Sequence, residues 1–180
     1  MEKIVVFILI LAMLIIIWYI SVSNSIKVAA LKVDESECGI DVALTKRYDV
    51  LIKMLGAVKG YQKYEQSVLS ELVELRTGMS MAEKKAANNT MDKVSRDISV
   101  LAEGYPELKA NTNFVELQKA IVDVEEHLQA ARRLYNSNVN AYNAKLVVFP
   151  SSIVANNMGA VKRELFEADE IKRQDVKMQF

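Results

Sequence analysis

The sequence predicts an all-α protein. It has an N-terminal single transmembrane helix, followed by an antiparallel up-and-down helical bundle of three long helices plus a shorter C-terminal helix. Three observations predict this. Residues 4–20 form an unbroken apolar run, and no charge falls between Lys3 and Lys27. Residues 40–75 place Ile40, Leu44, Leu51, Met54, Val58, Tyr61, Val68, Leu72 and Leu75 at steps of three and four, the spacing of one helix face. Only six Gly and two Pro occur in 180 residues, which favours long helices over a sheet.

The first element is the anchor. About 20 apolar residues span a bilayer core, and the 4–20 run meets that length. Trp18 and Tyr19 stand at its end, where amphipathic rings favour the interface. Ser21-Val22-Ser23 also fits a small-x-small cleavage site, the mark of a removable leader. The short Glu2-Lys3 leader and the length of the run favour retention. Lys3 precedes the span and Lys27, Lys32, Lys46 and Arg47 follow it, which assigns the large domain to the cytoplasm of a single-pass cell membrane protein.

The chain divides into an anchor (1–26), a helical stalk (27–39), a helical bundle (40–172) and a flexible tail (173–180). The stalk contains no Pro, so the anchor helix is expected to run on into the bundle, with Gly39 as a weak point. The seam helix is expected to end at Gly78, with Arg76 in its last turn. Ser80-Met81-Ala82-Glu83 reads as a capping box opening a second helix to about Glu103. Its apolar face is Ala87, Met91, Val94, Ile98 and Leu101, and Gly104-Tyr105-Pro106 ends it. Asn113 reads as the N-cap of the third long helix, with Glu116 at N3, and Pro150 stops that helix. Its seam includes Phe114, Ile121, Leu128, Tyr135, Tyr142 and Phe149. Ser151 or Ser152 is expected to cap a fourth helix that breaks at Gly159 and resumes from Val161.

Composition excludes several classes. With 23 basic and 23 acidic residues the net charge is zero, and no basic patch interleaved with aromatics appears, so nucleic acid is not an expected partner. One Cys and one His exclude a zinc site drawing on several of these ligands within one chain. Cys38 reads as a small core residue and His127 as a partly exposed helix residue. There is no glycine-rich phosphate loop, and no histidine lies near Ser151-Ser152 to activate a serine. No catalytic, metal or cofactor residue and no cofactor are expected.

Arg47 and Glu65 are the two charges on the 40–75 seam. They stand 18 residues apart, about 27 Å along a helix, so each needs a partner from elsewhere. Arg47, Asp49, Glu65, Asp123, Arg132, Tyr135, Asn136, Tyr142 and Asn143 are the expected structural polar network. A buried Arg or Glu costs several kcal/mol unless paired, so register-fixing ion pairs are the first expectation. If the second helix returns the chain toward the membrane, the third runs parallel to the first, and Asp123 becomes the partner of Arg47. Arg132, Asn138 or Lys145 would then meet Glu65. On that arrangement the stalk, 21–39, has no partner in its own chain. Its weak stripe of Ile26, Ala30 and Val33 then points to a second copy.

The doublet Tyr135-Asn136 recurs seven residues later as Tyr142-Asn143, and Phe149-Pro150 stands seven later again. Seven residues return each pair to nearly the same helix face. These residues, with Asp41-Val42-Ala43-Leu44-Thr45-Lys46-Arg47-Tyr48-Asp49, Val58-Lys59-Gly60-Tyr61, Tyr105-Pro106-Glu107-Leu108-Lys109-Ala110-Asn111 and Ala131-Arg132-Arg133-Leu134, resemble the LemA family of membrane-anchored bacterial proteins. The similarity covers most of residues 27–166. Two departures stand out. Leu51-Ile52-Lys53-Met54 replaces the family's Ile-Pro-Asn-Leu, so no kink is expected there, and Glu125-Glu126 replaces the usual Glu-Asn. The resemblance implies a single-pass protein with a cytoplasmic helical bundle, and it carries no active site over.

The function expected is a non-enzymatic, self-associating scaffold or adaptor of the bacterial envelope. Its expected partners are the lipid bilayer, further copies of the chain and another membrane protein. The alternatives are a regulatory binding module for another membrane protein such as a protease, and a small-molecule or lipid sensor using the Tyr-Asn face.

Overall fold

The computed structural model describes residues 1–58 and 79–166. Among these residues all regular structure is α-helical: α1 (Glu2–Val58), α2 (Met81–Glu103), α3 (Pro106–Lys109), α4 (Thr112–Val147) and α5 (Ser151–Asn157). The expectations placed on Tyr61, Glu65, Val68, Leu72, Leu75, Arg76, Gly78 and the tail lie outside the described residues.

α1 is one unbroken helix of 57 residues. Its first 20 residues are exposed, and its apolar window has a mean hydropathy of 3.0 with none of it buried. By length and composition it can cross a membrane. Burial then begins and keeps helical spacing through Ile26, Ala29, Val33, Ser36, Ile40, Leu44, Arg47, Leu51, Met54 and Val58. Gly39 does not interrupt the helix. It sits on the exposed side, and packing of its neighbours Ser36, Ile40 and Ala43 offsets the roughly 1 kcal/mol a mid-helix Gly costs.

Ser80 opens α2 with the expected capping box. Its hydroxyl accepts from the Glu83 N–H at 3.3 Å, and Glu83 Oε2 accepts from the Ser80 N–H at 2.7 Å. The N-cap of α4 is Asn111, not Asn113. Its side chain accepts from the Phe114 N–H at 3.2 Å, two residues earlier than the spacing alone suggested. α5 has Pro150, not a serine, at its N-cap. Ser151 instead donates back to the carbonyls of Lys145 and Val148 at 2.8 Å, tying α5 to the end of α4. After α5 the helix does not resume at Val161. Gly159 takes φ 65°, and Ala160 N–H reaches back to Ala155 O at 3.1 Å, a Schellman closure that turns residues 160–166 out of helical register.

Helix directions follow from paired side chains. Lys145 meets Ser25, Asn138 meets Lys32 and Glu125 meets Arg47, so α4 runs antiparallel to α1. Lys84 meets Glu37, and Asn88 meets Arg47, so α2 runs parallel to α1. This reverses the expected directions, which assumed a single reversal between the seam helix and α2. Met81 packs on the lower core cluster while Val58 belongs to the upper one.

The antiparallel α4 also supplies what the stalk was expected to lack. Ile26, Ala29 and Val33 share a core cluster with Val139, Tyr142 and Leu146 of α4 and Val154 and Ala155 of α5. The upper cluster joins Leu51, Met54, Leu55 and Val58 to Met91, Val94, Ile98, Leu108, Phe114 and Ile121. Two of the expected core placements fail: Cys38 is exposed, and Phe149 is 76% exposed at the end of the α4 seam.

Candidate functional site

Arg47 lies at the boundary between the two clusters, between Leu44 below and Leu51 above. Its side chain is 3% exposed. Nη2 pairs with Asp92 Oδ1 of α2 and Glu125 Oε1 of α4, each at 2.7 Å. Nη1 donates to Asn88 Oδ1 at 2.7 Å. One guanidinium therefore ties three helices at one height, as its planar fork allows. Asp123 is not its partner. It stands two residues before Glu125, about 200° around the helix, and is exposed. Asp49 is likewise exposed, two residues past Arg47. Glu65 lies outside the described residues.

Arg132 is the second cation of this layer. Among the described residues its Nε and Nη2 are buried without a hydrogen-bond partner, and its guanidinium carbon lies 4.5 Å from the centre of the Phe166 ring. Burial lowers its pKa from the usual arginine value. Asp92 and Glu125 oppose that fall, and Arg47 adds to it. Arg132 thus joins the ion-pair layer to the end of the 160–166 segment.

The Tyr-Asn repeat explains how that segment is held. Asn143 donates from Nδ2 to Arg163 O and accepts on Oδ1 from Arg163 N, both at 2.9 Å. Asn136 repeats the arrangement on Phe166, donating to its carbonyl at 3.0 Å and accepting from its amide at 2.8 Å. Seven residues of helix advance about 10.5 Å and three residues of extended chain about 10 Å, so the two spacings agree. Tyr135 is buried, and its hydroxyl donates to Glu164 O at 2.9 Å. Burial raises the pKa of its phenol. Glu37 and Glu164 push the same way, and Arg163 and Lys84 partly offset them. Tyr142 is buried below it. The expected doublets are therefore brought together on one face, but their amides serve the backbone of 163–166, not the tyrosines.

Composition alone did not single out Lys84, Glu37, Asn88 or Asp92. Lys84 Nζ meets Glu37 Oε1 and Asp41 Oδ1, both at 2.7 Å, below the Arg47 layer. Burial pulls its pKa down, but hydrogen bonds and charge from Asp41 and Glu37 outweigh burial, and the net shift is upward. Lys84 and Asn88 are four apart on the same side as Ala87 and Met91, which was the available signal.

Open cavities lie beside these groups and below them. One of about 420 Å³ borders Arg47, Asp92 and Glu125. One of about 590 Å³ is bounded by Tyr135, Tyr142, Met81 and residues 159–164. One of about 430 Å³ lies between α1 and α4 near Ser21, Ser25, Lys32 and Lys145. Arg47 and Lys84 each face two carboxylates, an arrangement suited to fixing register.

Residues 36–180 match the model of the LemA family. Over 142 residues the chain is 28% identical to Protein LemA of Metamycoplasma hominis, an alignment covering 76% of this chain. The chain spans 65% of that protein's length.

Proposed function

The chain belongs to the LemA family, and from that premise we propose that it is a non-catalytic, membrane-anchored helical scaffold of the bacterial envelope. It is a single-pass protein that holds its bundle at a set height on the cytoplasmic side. The observation that carries this reading is the continuity of α1, in which the exposed apolar run and the buried spine are one helix. A rod without a joint presents whatever docks on the bundle at a fixed distance from the bilayer. The lysines that follow the span support the cytoplasmic orientation. Self-association would use the outward faces of the bundle, because the stripe at Ile26, Ala29 and Val33 is covered from within the chain. A second reading, a small-molecule or lipid sensor on the Tyr-Asn face, is favoured by the cavity beside Tyr135 and Tyr142.

Intact mass and alkaline extraction of the protein in membranes test the leading reading. An intact N-terminus that resists extraction supports it. A soluble chain beginning after Ser23 overturns it. Crosslinking before solubilisation then separates a self-associating scaffold from a regulatory module. Copies of the chain dominate in the first case and a different membrane protein in the second.

A further inference from the structure

α4 descends along α1, so its C-terminal end arrives where the apolar run of α1 stops. Lys145 Nζ donates to Ser25 Oγ at 2.7 Å. Past Lys145, α4 continues to Val147, about 3 Å further at helical rise, level with Ser23, three residues beyond the 4–20 run. α5 turns back at the same height, where Ser23 Oγ donates to Met158 Sδ at 3.3 Å.

Among the described residues, the corner between α4 and α5 is apolar and uncovered. Val147, Val148, Phe149 and Ile153 are each more than half exposed. Single exposed apolar residues are ordinary, but a contiguous group at one tip marks a contact surface. Charge points to the same occupant. Neither residues 3–33 nor residues 127–163 contain an Asp or Glu, so among the described residues the layer at this height carries Lys27 and Lys145 with no carboxylate. An acid-free layer of lysines beside an apolar tip complements lipid phosphates above acyl chains.

We propose that the α4–α5 corner is a second membrane contact. Val147, Val148, Phe149 and Ile153 enter the boundary between headgroups and acyl chains of the bilayer that α1 spans, and Lys27 and Lys145 face its phosphates. The inference rests on α1 being a retained anchor. Two points of attachment then fix the tilt of the bundle as well as its height.

The test uses the full chain in vesicles of phosphatidylcholine with phosphatidylglycerol. Cys38→Ser leaves a cysteine-free background, and a nitroxide is placed singly at Phe149→Cys, Ile153→Cys, Ile10→Cys or Val100→Cys. Collision with oxygen against a water-soluble nickel chelate reports depth. Oxygen preference is expected at positions 149, 153 and 10, and chelate preference at the distant exposed position 100. Adding Phe149→Asp should reduce the oxygen preference at position 153 severalfold, with helix content unchanged. Chelate preference at 149 and 153 beside a lipid-buried position 10 overturns the proposal and leaves the anchor standing. Chelate preference at position 10 removes the anchor itself. Low access to both reagents with spin–spin broadening at 149 assigns the corner to a second copy, which also overturns it.

Discussion

Asn136 grips Phe166 with both ends of its amide, donating to the carbonyl at 3.0 Å and accepting from the N–H at 2.8 Å. The same two bonds join Asn143 to Arg163. Among the described residues, 161–166 belong to no helix or sheet, so these amides satisfy backbone groups that would otherwise depend on water.

Asn136→Ala should therefore cost about 1–2 kcal/mol and speed amide exchange at Phe166, with smaller changes in α1. Asn143→Ala should act in the same direction but less, because its bonds are exposed. Asn136→Asp keeps the acceptor but turns a carboxylate oxygen toward the Phe166 carbonyl, and should release the segment as fully as Ala. Exchange measured by mass spectrometry on the 160–166 peptide checks all three.

Arg47→Met should destabilise the bundle by about 3–5 kcal/mol, because Asp92 and Glu125 lose the cation between them. Arg47→Glu with Glu125→Arg should recover part of that loss. Arg47→Asp with Asp123→Arg should recover none, since Asp123 faces solvent. Denaturant midpoints of the detergent-solubilised chain separate the two pairs.

Gly39→Ala should stabilise the protein by about 1 kcal/mol. Gly39 is exposed within α1, and an added Cβ there meets nothing within 4 Å. A rise in melting temperature is the expected result.

The stability contributed by Lys84 should be lost at alkaline pH. Its folded pKa is raised above the ordinary 10.5, so folding favours the protonated form. The contribution is fully present below 10.5 and disappears as pH rises through the folded value. Raised by burial above 10.0, the Tyr135 phenol acts in the same direction. Lys84→Met should lower the melting temperature at neutral pH, and the gap to the unmodified chain should shrink above pH 10.5. Melting curves across that range measure it.

Much of this architecture is legible in the residues. The continuity of α1, the Ser80–Glu83 box and the apolar faces of α2 and α4 follow from local periodicity and capping, which a single sequence carries. Helix direction does not. An amphipathic stripe looks the same whichever way its neighbour runs, and the choice rested on counting reversals. The error in direction produced two others. It matched Arg47 with Asp123 instead of Glu125, and it left the stripe of Ile26, Ala30 and Val33 without a cover. The Asn136 and Asn143 repeat was visible as a shared face. Its partner was not, because backbone acceptors carry no side-chain signature and residues 161–166 were read as helix. Arg132 was singled out as a charge, but its contact with the Phe166 ring depends on where that segment runs.

The unbroken α1 has one further consequence. A helix transmits torsion as well as length. With no glycine or proline between Ile4 and Ser36, the azimuth of the apolar run and that of the buried stripe are locked together. One residue inserted between Ile20 and Ile26 would swing every outward face of the bundle by about 100° relative to Trp18 and Tyr19 while raising it only about 1.5 Å. The chain therefore encodes a compass bearing for its surfaces, and length changes in this stretch are tolerable only in steps near whole turns.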